Sequence, residues 1–279
     1  MLSTNHYLKK TNVAFVAKIT SREKAARSMS NYAVVGTTLP IVGESLCEAL
    51  DLRAGSRVLD VAAGSGNAAF AAAHRWCDVT STDDVPQLLA FGRKRARAEG
   101  LTVRFQKADA QNLPFCDRSF DVVLSTFGVM FAPDQEKAAD ELARVCKLGG
   151  RIGLANWTPD SFIGQVFRTI RRYVPPTPGT KSPARWGTQS RLWELFGEAA
   201  TTIRATRRSL TFRYRSPLQW LEVFRTSYGP LNETFAALDP AHQQALTSDL
   251  LDLIERGNRS GDETLVLPSE YLEVVIQLG

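Results

Sequence analysis

The stretch VLDVAAGSGNAAF, residues 58–70, decides how the rest of the chain is interpreted. It opens with apolar residues typical of a buried strand, passes through a turn that contains Gly64 and Gly66, and continues into an alanine-rich segment. A glycine turn between a strand and a helix presents backbone amides at the positive end of the helix, where a ligand can approach closely. The stretch therefore predicts a strand, a ligand-binding turn and a helix, in that order.

The residues that follow continue the same alternation of β-rich runs and helical stretches. The predicted strands are 56–63, 77–83, 101–109, 119–127 and 151–157, and the predicted helices are 67–76, 85–100 and 133–150, the last closed by its two glycines. Strands and helices that alternate with short connections form a parallel, doubly wound sheet. After residue 157 the pattern changes to predicted helices at 161–173 and 187–199, a basic strand at 201–215, a mostly helical stretch at 216–257 and a last strand in EYLEVVIQLG.

Composition places the chain among ordinary globular proteins. Its 279 residues are 44% hydrophobic and 23% charged, and no apolar run reaches the roughly 18 residues that a membrane span requires. The four cysteines are widely spaced and form no C-x-x-C pair, so neither a metal site nor a disulfide framework is predicted. Free thiols indicate a cytoplasmic protein.

Charge is distributed unevenly along the chain. Residues 151–215 hold 12 basic and 3 acidic side chains, whereas residues 216–279 hold 3 basic and 10 acidic ones. This pattern fits a nucleic-acid face, a site for an anionic substrate, or two segments that neutralise each other in the fold.

Acidic residues near the glycine turn bear on which ligand it holds. GSGNAA also fits the dinucleotide fingerprint, with Asp83 near the distance expected for a ribose contact. Asp60, however, precedes the turn, where a carboxylate is unfavourable beside a pyrophosphate and favourable beside a sulfonium or ammonium. Asp109, in KADAQNLPF, follows the third strand and can accept from an adenine amino group. These acids favour a cationic adenosyl ligand over a dinucleotide.

In sequence, VLDVAAGSGN, VTSTDD, KADAQNLPF, FDVVLSTFGVMF and CKLGGRIGLANW resemble the motifs of class I S-adenosylmethionine-dependent methyltransferases. The similarity is greatest to the type 11 subset, which includes the quinone-biosynthesis methyltransferases, and it covers about residues 50–157. It implies a mainly parallel seven-stranded Rossmann-like sheet, with S-adenosylmethionine across the carboxyl ends of strands one to four. The implied segments are N-terminal cap helices at 1–50, a cofactor-binding core at 51–157, a helical insertion that covers the substrate at 158–200, and strands and helices at 201–279 that complete the domain.

The resemblance also assigns cofactor contacts. It implies that Asp60 and Gly64 lie near the methionine part, that Asp83 holds the ribose and that Asp109, with Ala110, lies near the adenine. The full set of predicted cofactor-binding residues is Asp60, Ala62, Gly64, Gly66, Asp83, Asp84, Asp109, Ala110, Ser125, Phe127 and Tyr32.

Several of these residues have alternative interpretations. Ser125 and Phe127 end the fourth strand, where the crevice of such sheets opens, and either could belong to the core. Arg27 and Tyr32 are candidates to meet the cofactor carboxylate from an N-terminal lid, or to be a solvated and a packed side chain. Ala62 stands where the family usually has glycine, and Asp84 where it often has an apolar residue. These two departures leave open weakened binding and a non-catalytic cofactor-binding homologue.

No catalytic residue is predicted, because His6, His74 and His242 all fit surface positions. Methyl transfer needs chiefly an aligned acceptor and the exclusion of water, so the sequence predicts a small-molecule methyltransferase that works by positioning and desolvation. Aromatic residues after strand five are either core or, with nearby arginines, the lining of a pocket for an aromatic or anionic acceptor. An RNA acceptor and an NAD-dependent oxidoreductase are the alternatives. The arginines in question are Arg168, Arg171, Arg172 and Arg185.

Overall fold

The computed structural model describes residues 32–279, with side chains from Val34 onward. Its centre is a seven-stranded sheet of strand order β3-β2-β1-β4-β5-β7-β6. The strands are β1 Arg57–Val61, β2 Asp78–Asp83, β3 Val103–Lys107, β4 Phe120–Thr126, β5 Cys146–Trp157, β6 Ala200–Tyr214 and β7 Leu265–Leu278. Strands β1 to β5 pair in parallel, and β7 is antiparallel to both β5 and β6. The predicted mainly parallel, seven-stranded sheet is confirmed.

Helices flank the sheet and precede it. They are α1 Tyr32–Gly36, α2 Pro40–Ala49, α3 Asn67–His74, α4 Pro86–Ala98, α5 Gln135–Val145, α6 Phe162–Tyr173, α7 Gln189–Phe196, α8 Pro217–Ser227, α9 Gly229–Ala237 and α10 Pro240–Gly257. Short 3₁₀ turns lie at Val129–Phe131 and Pro183–Gly187. The helical insertion predicted between the fifth and sixth strands is α6, the second 3₁₀ turn and α7.

The central strand β1 is buried on both faces, as its apolar sequence predicts. Val58, Leu59 and Val61 are each at most 1% exposed. The exception in composition is Asp60, which is fully buried among them. Burial of a carboxyl group is costly unless it is hydrogen-bonded, so the partners of Asp60 are part of the candidate site.

The predicted helix 133–150 is too long. It ends at Val145, and residues 146–150 extend β5 instead. A Cβ on Gly150 would lie 2.9 Å from the Asp121 carbonyl oxygen, while Gly149 adopts a φ of 69°. The glycine pair therefore lets an irregular strand approach β4 closely, which the sequence pattern does not distinguish from a helix stop.

Part of the predicted N-terminal cap is visible. Helices α1 and α2 fall in the predicted segment 1–50, and the Asn67 side chain donates to the Gly36 carbonyl oxygen at 2.7 Å. This bond joins the end of α1 to the start of α3. Arg27 lies outside the described residues, as does the side chain of Tyr32, although its backbone begins α1.

The basic and acidic segments neutralise each other in part, which confirms the third interpretation of the charge pattern. Three ion pairs join residues 151–215 to residues 216–279, namely Arg172 with Asp249, Arg207 with Glu270 and Arg208 with Glu273. Such pairs on a surface contribute about 0–1 kcal/mol each. These three pairs neutralise part of the uneven charge within the fold.

Residues 32–279 contain no membrane-spanning helix, no disulfide and no metal-binding cluster. The helices in this part of the chain are all too short or too polar to cross a bilayer. Its four cysteines are free, and none of its His, Cys, Asp and Glu side chains form a group of three that could hold a metal ion.

Candidate functional site

A cleft opens at the carboxyl ends of β1, β2 and β4. It encloses about 550 Å³, including its open mouth. In parallel sheets with this strand order, ligands bind in the crevice where the order reverses, which here is between β1 and β4. The residues that line it are Ala62, Gly64, Asp83, Asp84, Val85, Leu88, Phe127, Gly128, Phe131, Gly229 and Pro230.

The glycine turn forms one wall of the cleft. Ala62, Gly64 and Gly66 have φ angles of 52°, 58° and 89°, a region that glycine adopts freely and an alanine adopts at about 1–2 kcal/mol. Ala62 and Gly64 line the cleft, whereas Gly66 lies beneath it as the N-cap of α3. Ala62 thus adopts the left-handed conformation that the turn requires, and its methyl group lies at the cleft.

Asp83 ends β2 and holds the turn in place. Its carboxylate accepts hydrogen bonds from the backbone amides of Gly64 and Val85, both at 2.9 Å, and its residue is 6% exposed. A carboxylate oxygen can accept more than one hydrogen bond. Asp83 can therefore support the turn and accept a ribose hydroxyl at the same time.

Asp84 is the next residue along the chain and also lines the cleft. It is half-buried. Within residues 32–279 its side chain makes no hydrogen bond and no ion pair. Asp84 therefore presents an uncompensated carboxylate to whatever occupies the cleft.

Asp60 lies behind the turn and does not line the cleft. One of its carboxylate oxygens accepts from the Ala69 amide in the first turn of α3, at 2.8 Å. The other oxygen has no partner in the described part of the chain, nor has the hydroxyl of Ser81, its register neighbour on β2. Burial raises the pKa of Asp60 to about 8. The expected contact between Asp60 and the donor amine stays a prediction.

The raised pKa of Asp60 predicts a dependence of stability on pH. The unfolded carboxyl titrates near about 4, so Asp60 favours folding at low pH and loses that contribution as pH rises through about 8. Asp60→Asn keeps an acceptor for the Ala69 amide and adds a donor on the side of Ser81. We expect this variant to gain stability relative to wild type as pH rises from 5 to 9, by an amount on the order of 2 kcal/mol.

Urea unfolding at a series of pH values measures this difference. Asp140→Asn, which changes an exposed carboxylate on α5, is the matched control and should show no such trend. A loss of stability in Asp60→Asn that is equal at every pH would contradict the prediction, because it would mean that the native protein holds Asp60 as an ion at acidic and neutral pH alike.

Ser125 and Phe127 have different roles. The Ser125 hydroxyl donates to the Val61 carbonyl oxygen at 2.7 Å and accepts from the Val129 amide at 3.1 Å, and the residue is fully buried. Phe127, with a φ of 56°, lines the cleft and stacks on Trp157 at 4.0 Å between ring centroids. Ser125 thus ties β4 to the end of β1 from within the core. Phe127 is only 2% exposed and belongs to the core, and it also borders the cleft.

Gly128 is a site residue that the sequence analysis missed. A Cβ on this residue would lie 2.1 Å from the Ala62 carbonyl oxygen and 2.7 Å from the Ala62 Cβ. Only glycine lets the end of β4 approach the turn so closely. Its signal in the sequence was its place directly after the apolar strand, in STFGVMF.

The wall opposite the turn was also missed. Phe131 follows Gly128 in the 3₁₀ turn, and Gly229 and Pro230 begin α9. About one hundred residues of sequence separate α9 from the other lining residues, and no local pattern predicts that contact.

Asp109 and Ala110 do not line the cleft. Asp109 is exposed, and its carboxylate accepts from the backbone amide of Gln111 at 2.9 Å in a local turn. Ala110 is half-buried and packs against the core. Asp109 therefore caps a local turn, and its role at the adenine stays a prediction.

The four arginines of the insertion do not build the pocket that the sequence analysis considered for an anionic acceptor. None of them lines the cleft. Arg171 donates to the Thr180 carbonyl oxygen, and the others pair with surface carboxylates, Arg168 with Asp160, Arg172 with Asp249 and Arg185 with Glu194. The aromatic residues nearby are mainly core, with Trp157, Phe162, Phe167, Trp186 and Phe196 all buried.

The chemistry of the cleft is therefore apolar and acidic. Phe127, Phe131 and Pro230 contribute apolar surface, and Asp83 and Asp84 contribute the charged groups. No basic side chain of residues 32–279 lines it. A cleft of this kind suits a ligand with a positive charge and an apolar or aromatic part.

Comparisons with known proteins agree with this geometry. Residues 59–154 match the type 11 methyltransferase domain family. An uncharacterized protein of Mycobacterium tuberculosis is 40% identical over 225 residues, which cover 80% of this chain and 82% of that protein. A demethylmenaquinone methyltransferase of Deinococcus radiodurans is 35% identical over 171 residues, which cover 56% of this chain and 71% of the relative.

Solved structures share the fold at low sequence identity. The YcgJ protein of Bacillus subtilis superposes with a TM-score of 0.59 at 21% identity, covering 88% of this chain and 99% of that one. Phosphoethanolamine N-methyltransferase 2 of Haemonchus contortus, solved in complex with S-adenosyl-L-methionine, gives a TM-score of 0.52 at 17% identity, covering 85% of this chain and 52% of that one.

Proposed function

The chain belongs to the class I S-adenosylmethionine-dependent methyltransferases, type 11, and we propose that it transfers a methyl group to a neutral aromatic small molecule. The observation that carries this proposal is the composition of the cleft. It joins the glycine turn and Asp83, which suit the donor, to Phe127 and Phe131, which suit an aromatic acceptor.

The residues present fit the donor. A carboxylate can accept more hydrogen bonds than the two that Asp83 receives from backbone amides, and Asp84 has no competing partner in the described part of the chain. Ala62 and Gly64 leave the turn without bulky side chains. In this proposal Asp83 binds the ribose hydroxyls, and the turn lies against the methionine part of the donor.

The protein's contribution to the reaction is positioning and exclusion of water. When bound, S-adenosylmethionine supplies a methyl group that leaves sulfur with the bonding electron pair remaining on sulfur, while the acceptor atom forms the new bond and releases a proton. Phe127 is fixed by its stack on Trp157, so it can orient a flat acceptor in the cleft. Holding the reacting atoms in line accounts for much of the acceleration in such transfers.

The charge of the cleft bears on the acceptor. With two carboxylates and no basic side chain among its described lining residues, the cleft disfavours an anionic acceptor. A neutral ring agrees with the demethylmenaquinone methyltransferases among the relatives, whose named acceptor is a quinone. We propose on these grounds a neutral, electron-rich aromatic acceptor, such as the reduced quinol form of a quinone, which can form the new bond and release a proton.

Thermal unfolding with S-adenosylhomocysteine tests the donor site. At one hundred times its dissociation constant, this ligand is expected to stabilise the protein by about 2.7 kcal/mol. NAD at the same concentration should give no shift, because the acidic cleft disfavours a pyrophosphate. A shift with NAD alone would instead indicate an oxidoreductase, and no shift with either ligand would contradict the proposed donor.

A further inference from the structure

Asp84 differs from Asp83, the other charged residue of the cleft, because its side chain makes no hydrogen bond or ion pair that would stabilise the fold. The Asp83 carboxylate is engaged by two backbone amides. Asp84 lines the same cleft, is half-buried, and has no hydrogen-bonding or ionic partner in residues 32–279. A half-buried carboxylate with no partner raises the electrostatic attraction of the cleft for cations.

The two ligands of a methyltransferase differ in just this property. S-adenosylmethionine carries a positive charge on sulfur, and S-adenosylhomocysteine has a neutral sulfur at the same place. Apart from the transferred methyl group, the rest of the two molecules is the same. A negative charge in the cleft therefore stabilises the donor more than the product, whereas a contact with the shared adenosine part stabilises both equally.

We propose that Asp84 is a specificity-determining residue that makes the cleft prefer the cationic donor over its neutral product. The inference rests on the proposed function. Its consequence is that the spent cofactor is displaced more readily by fresh donor, so the enzyme is less inhibited by its own product. The acid that departs from the usual apolar residue at this position thus has a role in turnover.

Isothermal titration calorimetry on Asp84→Asn tests this inference. The substitution keeps the shape of the side chain and removes the charge, and because the carboxylate bonds to no described residue, the melting temperature should stay close to that of wild type. S-adenosylmethionine should bind about fivefold more weakly, the effect of one charge at roughly 8 Å in a partly solvated cleft. S-adenosylhomocysteine should change by less than about twofold, so the ratio of the two dissociation constants falls.

A third ligand separates charge from the methyl group. Sinefungin has a protonated amine in place of the methyl sulfonium, and it should lose affinity in Asp84→Asn as S-adenosylmethionine does. Asp140→Asn, an exposed carboxylate on α5, is the matched control and should leave all three affinities unchanged.

Two results would overturn the inference. If donor and product weaken by the same factor in Asp84→Asn, Asp84 contacts their shared part and does not discriminate charge. If neither changes, Asp84 does not act on the ligand at all. Failure of the proposed function is a different result, namely that wild-type protein binds neither S-adenosylmethionine nor S-adenosylhomocysteine.

Discussion

Asp83→Ala is expected to weaken S-adenosylhomocysteine binding by about 1.5–3 kcal/mol, roughly 10- to 150-fold. The Asp83 carboxylate ends β2 in the cleft and also holds Gly64 by accepting from its backbone amide at 2.9 Å. Its removal deletes a charge-assisted hydrogen bond to the ligand. It also removes the acceptor that holds Gly64, so the glycine turn is no longer fixed against the ligand. Calorimetry below the melting temperature measures the loss, and unchanged affinity would remove Asp83 from the site.

The same substitution should also destabilise the protein. The amides of Gly64 and Val85 lose their acceptor in a buried environment, and each such loss is worth about 1–3 kcal/mol. Asp78→Ala is the matched control, because Asp78 begins the same strand, is exposed and pairs with Arg104 on the surface. We expect a change of less than about 1 kcal/mol there and no effect on ligand affinity.

Gly128→Ala is expected to lower the free energy of unfolding by about 3 kcal/mol or more, in the upper range for overpacking a rigid site. The new Cβ would lie 2.1 Å from the Ala62 carbonyl oxygen and 2.7 Å from its Cβ. Neither atom can rotate away, so the end of β4 and the glycine turn have to separate. The separation widens the cleft between Ala62 and Phe127, and donor binding should fall with stability.

Gly55→Ala provides the comparison for Gly128→Ala. Gly55 has a φ of 80° and open space around the added methyl group, so it reports backbone strain alone, at about 1 kcal/mol. Gly128 has a φ of −97° and therefore reports the clash alone. Urea unfolding of both variants separates the two effects. Equal losses in the two variants would mean that the turn shifts freely, against the tight contact described above.

Much of the fold was predictable because parallel strands buried on both faces have a simple apolar signature. All five strands from β1 to β5 were identified, as were the helices between them. The end of α5 was not, because Gly149 and Gly150 fit a helix stop as well as a strand irregularity, and only the approach of β5 to β4 decides between them. Local pattern cannot report that distance.

The sequence predicted which types of residue form the candidate site better than it predicted where their side chains point. Gly64 and Asp83 lie in the cleft as their motifs imply. Asp60 accepts from the Ala69 amide with one carboxylate oxygen, a contact that the sequence motif does not specify, and its role at the donor stays a prediction. The insertion arginines were considered for the site on charge alone. Arg172 pairs with Asp249, 77 residues further along the chain, and local sequence cannot predict that contact.

The lining of the cleft is divided unequally along the chain, with nine lining residues between 62 and 131 and two, Gly229 and Pro230, in the C-terminal half. The family match ends at residue 154, so the glycine turn, Asp83 and the aromatic residues Phe127 and Phe131 lie within it, and α9 lies outside it. A substitution at Gly229 or Pro230 can therefore reshape the facing wall of the cleft without touching the glycine turn.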